Sequence, residues 1–473
     1  MLNAFESPSI ERVRRLFRLQ SLHLAKPEAR ARERHRRVTL TASFAVIARL
    51  VGAGSSLVTI PITLSYLGAE RFGLWMAISS ILTVLSFADF GIGNGVMNAV
   101  ADAHGKNDTT GIKAAISSGA AILSSVAAGL ILLFVTIYSR IDWGHVFNVH
   151  SQAARAEAGP ALLVFMFCFA MNIFVGLVQR TQMGLQEGFR SYIWQLAGQI
   201  AGLLGVLLVI RLHGGLPLLV LALTGCPVFA ALMNGALFFG VTHRDLLPSR
   251  HCISRPSVRR VCHLGVLFFV LQVVCAFAFF ADNFIIIRIL GPEAVTQYAV
   301  PQRMFMMISV VLAMSTAPLW PAYAEAISRG DSAWVRRTLL RSLRLVLGVA
   351  GLGVIVLVCG GREIIHLWVG SKLAPPSMVL LIGLGIWTLF DVAGNAIAMF
   401  LNGASVIKFQ VIVATLFGAA CLLAKLFAVR HFGVAAMPWA TIITYCLLNA
   451  IPTVFVLPRL LNEIRLRDSP ATA

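Results

Sequence analysis

Charge is what this sequence has least of. Only 12% of its residues are Asp, Glu, Lys or Arg, and just 20 of 473 are acidic, where soluble domains carry about 25% charged side chains. With 58% hydrophobic residues, a water-soluble fold could not hide the apolar surplus. Metal-ligand spacing is missing as well. His104, His145, His243 and His366 are scattered, without i, i+4 pairs or a Cys-x-x-Cys run, so no metal is expected. Cys252 and Cys262 fall in a connecting segment and the other cysteines are read as lying in membrane spans, which excludes an extracytoplasmic disulfide framework. Gly91-Ile-Gly93 follows no strand and has no Walker lysine, so no nucleotide site, ATPase module or other cofactor is expected.

What the chain does have is apolar runs long enough to cross a bilayer, which takes roughly 20 residues. They predict helices near 39–66, 73–100, 112–138, 158–180, 192–210, 216–241, 262–289, 294–320, 338–358, 377–401, 408–429 and 434–458. Lipid supplies no hydrogen bonds to the backbone, so only helices or a closed barrel can span, and runs this long exclude barrel strands. The expected fold is all-α, a polytopic membrane protein of about twelve transmembrane helices.

The formal charge of +19 would suggest nucleic acid in a soluble protein, but the placement of the bases points elsewhere. With the N-terminus inside, cytoplasmic segments hold 28 of the 39 Lys and Arg and outside loops hold 9, while Arg49 and Arg303 fall within spans. Both termini are therefore expected in the cytoplasm, with membrane lipids and not nucleic acid as the surroundings. Residues 1–38 carry Arg12, Arg14, Arg15, Arg18 and a run from Arg30 to Arg37, too long and too charged for a cleaved leader. They serve as a topogenic signal or as a specific anionic-lipid or partner site.

Shifting the chain on itself by 223 residues pairs Leu67-Gly68-Ala69-Glu70 with Leu290-Gly291-Pro292-Glu293, Ala101-Asp102-Ala103 with Ala324-Glu325-Ala326, Asp108 with Asp331, and Lys113 with Arg336. Two sites in one register imply duplication. Six helices per copy make two pseudo-symmetric six-helix bundles related by an axis along the membrane normal, with a cavity between them. The expected division is a 39–242 lobe, a 243–261 cytoplasmic linker containing Pro248 and Pro256, a 262–458 lobe and a 459–473 tail.

Tyr66-Leu-Gly-Ala-Glu-Arg-Phe-Gly-Leu-Trp75, Phe87-Ala-Asp-Phe-Gly-Ile-Gly-Asn94, and the stretch from Asp282-Asn283 through Leu290-Gly291 to Tyr298-Ala299-Val300 resemble polysaccharide exporters of the multidrug/oligosaccharidyl-lipid/polysaccharide superfamily. The resemblance runs from Thr39 to about Leu460. It implies a bacterial inner-membrane, non-enzymatic flippase that carries undecaprenyl-diphosphate-linked O-antigen or exopolysaccharide repeats to the periplasmic leaflet by alternating access. Polysaccharide polymerase or assembly proteins would be its partners. Some such relatives have fourteen helices, two more than are counted here.

A charge inside a span is expensive and marks a functional candidate. Arg49, flanked by Ile47-Ala48 and Leu50-Val51, either holds a diphosphate through forked hydrogen bonds or pairs with Asp89. Arg303 is a second diphosphate candidate, since the resemblance places helices 1 and 8 at the lateral opening; its alternative is a salt bridge to Asp282. Asp391 either carries a proton or sodium ion or bonds a neighbouring helix. Lys425, near a helix end, is read as snorkelling. Asn94, Asn98, Gln272 and Asn395 face glycan or act as interhelical glue, in a polar set that also includes Gln195 and Gln199. The glycines at 91–95 loosen helix 2 or let another helix approach, and Pro318 and Pro321 bend helix 8. The rival functions are a cation-coupled multidrug extruder and a membrane polysaccharide polymerase.

Overall fold

The computed structural model describes residues 27–85, 88–147, 149, 151–290, 292–369 and 375–468. Among them no strand occurs, and eleven helices are long and apolar enough to cross a membrane. In chain order the principal helices are α1 (Pro27–Leu85), α2 (Ile92–Gly105), α3 (Thr109–Tyr138), α4 (Gln152–Gly184), α5 (Gly188–Arg211) and α6 (Leu216–Thr242). After a linker come α7 (Arg255–Leu290), α8 (Pro292–Thr316), α9 (Leu319–Ser328), α10 (Ser332–Val369), α11 (Met378–Gly403), α12 (Ile407–Phe432) and α13 (Val434–Ile464).

The expected second helix exists in two pieces, which is why it is not among the eleven. Gly68, at φ 74° and ψ 168°, kinks α1 into arms 27–67 and 69–85. A further turn, with Phe90 and Gly91 at positive φ, separates the second arm from α2. Gly91 needs both freedoms of glycine: its φ is 69°, and an added Cβ would lie 2.8 Å from Phe269 N on α7. A Cβ on Gly95 would sit 2.7 Å from Val261 O, so this glycine run both breaks the helix and lets α7 approach. Pro318 similarly caps α9 after the end of α8. Proline also shapes the last helix of each half. A π-type turn precedes Pro227 in α6 at Leu221–Gly225, and another precedes Pro452 in α13 at Cys446–Ala450, where the missing N–H and ring would disrupt regular bonding.

The duplicated register is visible in the backbone. Asp108 N–H donates to Ala103 O at 2.9 Å and Asp331 N–H to Ala326 O at 2.9 Å; Lys106 donates to Asp102 O and Arg329 to Glu325 O, each at 3.1 Å. Asn107 and Gly330 supply the positive φ that these helix ends need. Asp108 then caps α3 by accepting from Gly111 N–H at 2.8 Å, as Asp331 accepts from Trp334 N–H at 3.4 Å. The hydrogen bonds from the Thr110 hydroxyl and Gly111 amide hold the Asp108 carboxyl below its ordinary value.

Two segments differ from the sequence reading. Helix α1 starts at Pro27 and α7 at Arg255, so the later residues of the expected N-terminal segment and of the expected linker are helical. The linker itself is pinned, with Leu246 in the core and Ser249 N–H bonded to Ser117 Oγ at 3.1 Å. Arg12, Arg14, Arg15 and Arg18 lie outside the described residues.

Apolar cores form within each half. Val96, Val100, Ile116, Leu123 and Leu177 pack in the first, and Ile285, Tyr298, Phe305, Leu381 and Leu384 in the second. One cluster bridges them through Met97, Met183, Phe268, Trp320 and Ile407.

Candidate functional site

The first half contains a polar cavity of about 670 Å³, lined by Arg49, Ser55, Gln179, Tyr192, Gln195 and Gln199 and touched by Met314 of α8. Its shape follows from the α1 sequence. Ala45 and Ala48 are buried on the same face as Gly52, and these small residues leave room between α1 and α5 that larger side chains would fill. Arg49 lies beside that stripe with its side chain exposed. No ion pair joins it to Asp89 among the described residues. Asp89 instead accepts from Gly91 N–H at 2.9 Å, and its carboxylate shares the space beside Gly93 with the Arg180 side chain, each 3.1 Å from where a Cβ would sit.

Arg303 is exposed on α8, but its expected pairing with Asp282 is not what forms. Asp282 accepts from Lys425 Nζ at 2.5 Å and from the Tyr298 hydroxyl at 2.8 Å. Gln302 extends the chain by donating to the same hydroxyl at 3.3 Å. Lys425 is only 1% exposed, so it does not snorkel. It neutralises a buried carboxylate that would otherwise be very costly, tying α12 to α7.

A second cavity, about 380 Å³, lies in the second half and includes Asp391, Asn395, Gln410, Asn449 and Thr453 among mainly apolar walls. Asn395 Oδ1 accepts from Thr316 at 3.2 Å, and the Ser309 hydroxyl lies against Asp391. The structure thus divides the expected site. Arg49 belongs to one cavity, Asp391 and Asn395 to another, and Gln272, half-buried, follows Leu271 on the second cavity's wall.

Asn98 belongs to neither cavity. It is 2% exposed and bridges the halves: Nδ2 donates to Asn402 O at 2.9 Å and Ser405 Oγ at 3.2 Å, while Oδ1 accepts from Trp320 Nε1 at 2.7 Å. Of the two roles expected for Asn98, these bonds match interhelical glue. Asn94, one turn earlier, is buried and its Oδ1 has no partner among the described residues.

Beyond Asn98, the same end carries a network that sequence reasoning missed. Arg34, 1% exposed, reaches from α1 to Glu325 Oε2 at 2.6 Å and Asp331 Oδ2 at 3.0 Å, and its guanidinium lies 4.4 Å from the Trp334 ring centroid. Glu325, fully buried, also pairs with Arg329 and accepts from Gln186 Nε2 at 3.3 Å. Arg329 reaches back across to His104 O at 3.1 Å, and Arg260 bonds Asp102 at 2.7 Å. Gly105 and its repeat counterpart Ser328 touch directly, for an added Cβ would fall on Ser328 Oγ and 2.9 Å from Glu325 O. Polar contacts that join the halves gather at this basic end. The signal was Glu325 itself, a lone acid in the apolar run Leu319–Ile327 that matches Asp102 in the repeat.

At the margin of this end, Glu187 is 3.0 Å from Arg190 and 3.5 Å from His243. Burial pushes its carboxyl upward, but His243 and the positive charges of Arg190 and Arg37 outweigh that and hold it below its ordinary value.

The arrangement is a chamber in which Arg49 lies beside neutral amides, with buried ion pairs joining the halves at the basic end. Known proteins resemble the chain in sequence and in fold. A Salmonella typhimurium protein named "Putative O-antigen transporter" is 21% identical over 313 residues, 64% of this chain and 68% of that protein. A solved MATE in the bent conformation covers 93% of this chain and 97% of its own at TM-score 0.77 and 13% identity. An outward-facing multidrug resistance MATE of the MOP superfamily covers 91% and 97% at 0.74 and 15%. A Pyrococcus furiosus MOP superfamily transporter covers 92% and 96% at 0.71 and 14%. The polysaccharide biosynthesis protein family matches residues 40–326, and with more than half of its length in that match the chain belongs to this family.

Proposed function

We propose that the protein is a flippase that moves polyprenyl-diphosphate-linked oligosaccharide from the cytoplasmic to the periplasmic leaflet by alternating access. The observation that carries this is the pairing of an Arg49-bearing polar cavity with a basic end latched shut by Arg34, Asn98 and Glu325. Diphosphate suits a guanidinium, which stays charged and donates in a fork, and glycan hydroxyls suit amides. The lipid tail stays in the bilayer while the headgroup crosses in the chamber. The family match and the Salmonella relative's printed name support a glycan cargo over a drug.

By the excess of Lys and Arg, the latched end is cytoplasmic and the conformation is closed to the cytoplasm. The two halves, 39–242 and 262–458, act as lobes whose rocking opens and closes the latch, and Arg303 on α8 meets the diphosphate at the lateral opening. Two negative charges leaving an inside-negative cell gain roughly 2.3 kcal/mol per charge per 100 mV, so outward movement needs no ATP. Polymerase and assembly proteins take up the product outside.

Deleting the gene in its native bacterium and locating the lipid-linked intermediates in intact and lysed spheroplasts tests the reading. Loss of polymer with intermediates held inside supports it. Normal polymer with new drug sensitivity favours the extruder, and single repeats accumulating outside favour a polymerase.

A further inference from the structure

Opposite Arg49 the first cavity has a wall of uncharged polar side chains. Tyr192, Gln195 and Gln199 recur at i, i+3 and i+7 on α5, and Gln179 joins them from α4. That spacing puts the three on one helix face, with the two α5 amides about 6 Å apart along the axis. Helix α1 is cut back to admit them: a Cβ on Gly52 would lie 3.1 Å from Gln199 Nε2 and 3.4 Å from its Oε1. Gln195 is exposed. Gln199 Oε1 is shielded yet accepts no hydrogen bond among the described residues, a costly state for a buried acceptor that a ligand hydroxyl or amide N–H would relieve.

We propose that this amide face reads the first sugar of the lipid-linked glycan, beside the diphosphate held by Arg49, and that Gln195 and Gln199 set which headgroups are carried. The inference rests on the flippase reading. Each glutamine offers both donors and an acceptor without charge. It therefore matches ring hydroxyls and acylamino groups while leaving the phosphate to the guanidinium. A chamber of about 670 Å³ is in the size class of pockets that enclose small-molecule ligands, which suits a diphosphate and its adjoining sugar. Sites built to bond a hydroxyl reject analogues lacking it far more strongly than apolar pockets reject a methylene.

The test titrates the purified full-length protein in detergent with two probes, polyprenyl diphosphate and polyprenyl diphosphate bearing one N-acetylhexosamine. The wild type is expected to bind the sugar-bearing probe about tenfold or more tightly, the gain of one or two good hydrogen bonds. Gln195→Leu with Gln199→Leu is expected to abolish that preference and leave affinity for the bare diphosphate within about twofold. Should the double variant not fold, Gln195→Ala at its exposed position is expected to reduce the preference several-fold on its own. A preference that survives these substitutions overturns the amide reading, as does a wild type that binds both probes equally; either result leaves the flippase reading intact. A wild type that binds neither probe overturns both.

Discussion

Removing the Glu325 carboxylate is the sharpest perturbation of the latch. In Glu325→Ala, Arg34 and Arg329 keep buried guanidiniums, 1% and 6% exposed, and Arg34 retains the partly exposed Asp331 and the face of Trp334. Breaking one side of a buried ion pair typically costs about 3–5 kcal/mol. That penalty falls on the conformation in which the pair is formed. Transporter states differ by only a few kcal/mol, so the closed-to-open ratio at the basic end should fall by roughly two to nearly four orders of magnitude at about 1.4 kcal/mol per factor of ten. Spin labels at Thr109 and Arg336, both exposed at this end and placed in a cysteine-free background, report the change as a longer distance by pulsed electron resonance. Arg34→Ala is expected to move the distribution the same way but less far. An unchanged distance distribution in Glu325→Ala, with the protein folded, would refute the latch.

Lys425→Met strands the Asp282 carboxylate among buried residues and should cost about 3–5 kcal/mol, read as a lowered thermal midpoint in detergent; adding Asp282→Leu should recover most of it, and an undiminished loss in the double variant would count against the pairing. Gly105→Val places a branched side chain against Ser328 Oγ and Glu325 O and is expected to hold the basic end open, raising thiol-reagent labelling of a cysteine placed at Asn402; unchanged labelling would argue against the close approach. Glu187 has a depressed carboxyl, so its contribution is full above its ordinary pKa of about 4.5 and is lost as pH falls through the folded-state value. Acid titration below that point should therefore destabilise the wild type more than Glu187→Gln, and parallel pH profiles would contradict the assignment.

The spans were legible because lipid imposes a length of apolar sequence on each one. The repeat was legible because the turns at Asp108 and Asp331 need residues of the same kind in the same register, Asn107 and Gly330 at the positive-φ position and an Asp cap after each. Arg49 could be assigned to a polar interior because no mid-span guanidinium reaches water easily. What the sequence concealed was pairing across long separations. Lys425 and Asp282 are 143 positions apart, and Arg34 and Glu325 are 291, so position along a span suggested snorkelling for the first and a topogenic cluster for the second. Asn98 and the cavity glutamines are alike as amides in polar spans; only the fold separates the one whose bonds are spent holding the halves together from those facing a chamber. The break at Phe90 and Gly91 was one of two readings of a glycine run, and the structure uses both.

Translocation in reconstituted vesicles decides whether the protein is a flippase. A fluorescent polyprenyl-diphosphate-linked oligosaccharide is placed in both leaflets, and a membrane-impermeant reagent that destroys the label reports the fraction reaching the outer face. Rapid exchange is expected with the wild-type protein, and a loss of at least tenfold in Arg49→Ala combined with Arg303→Ala. Translocation at the wild-type rate by that double variant, or none by the wild type above protein-free vesicles, would contradict that expectation.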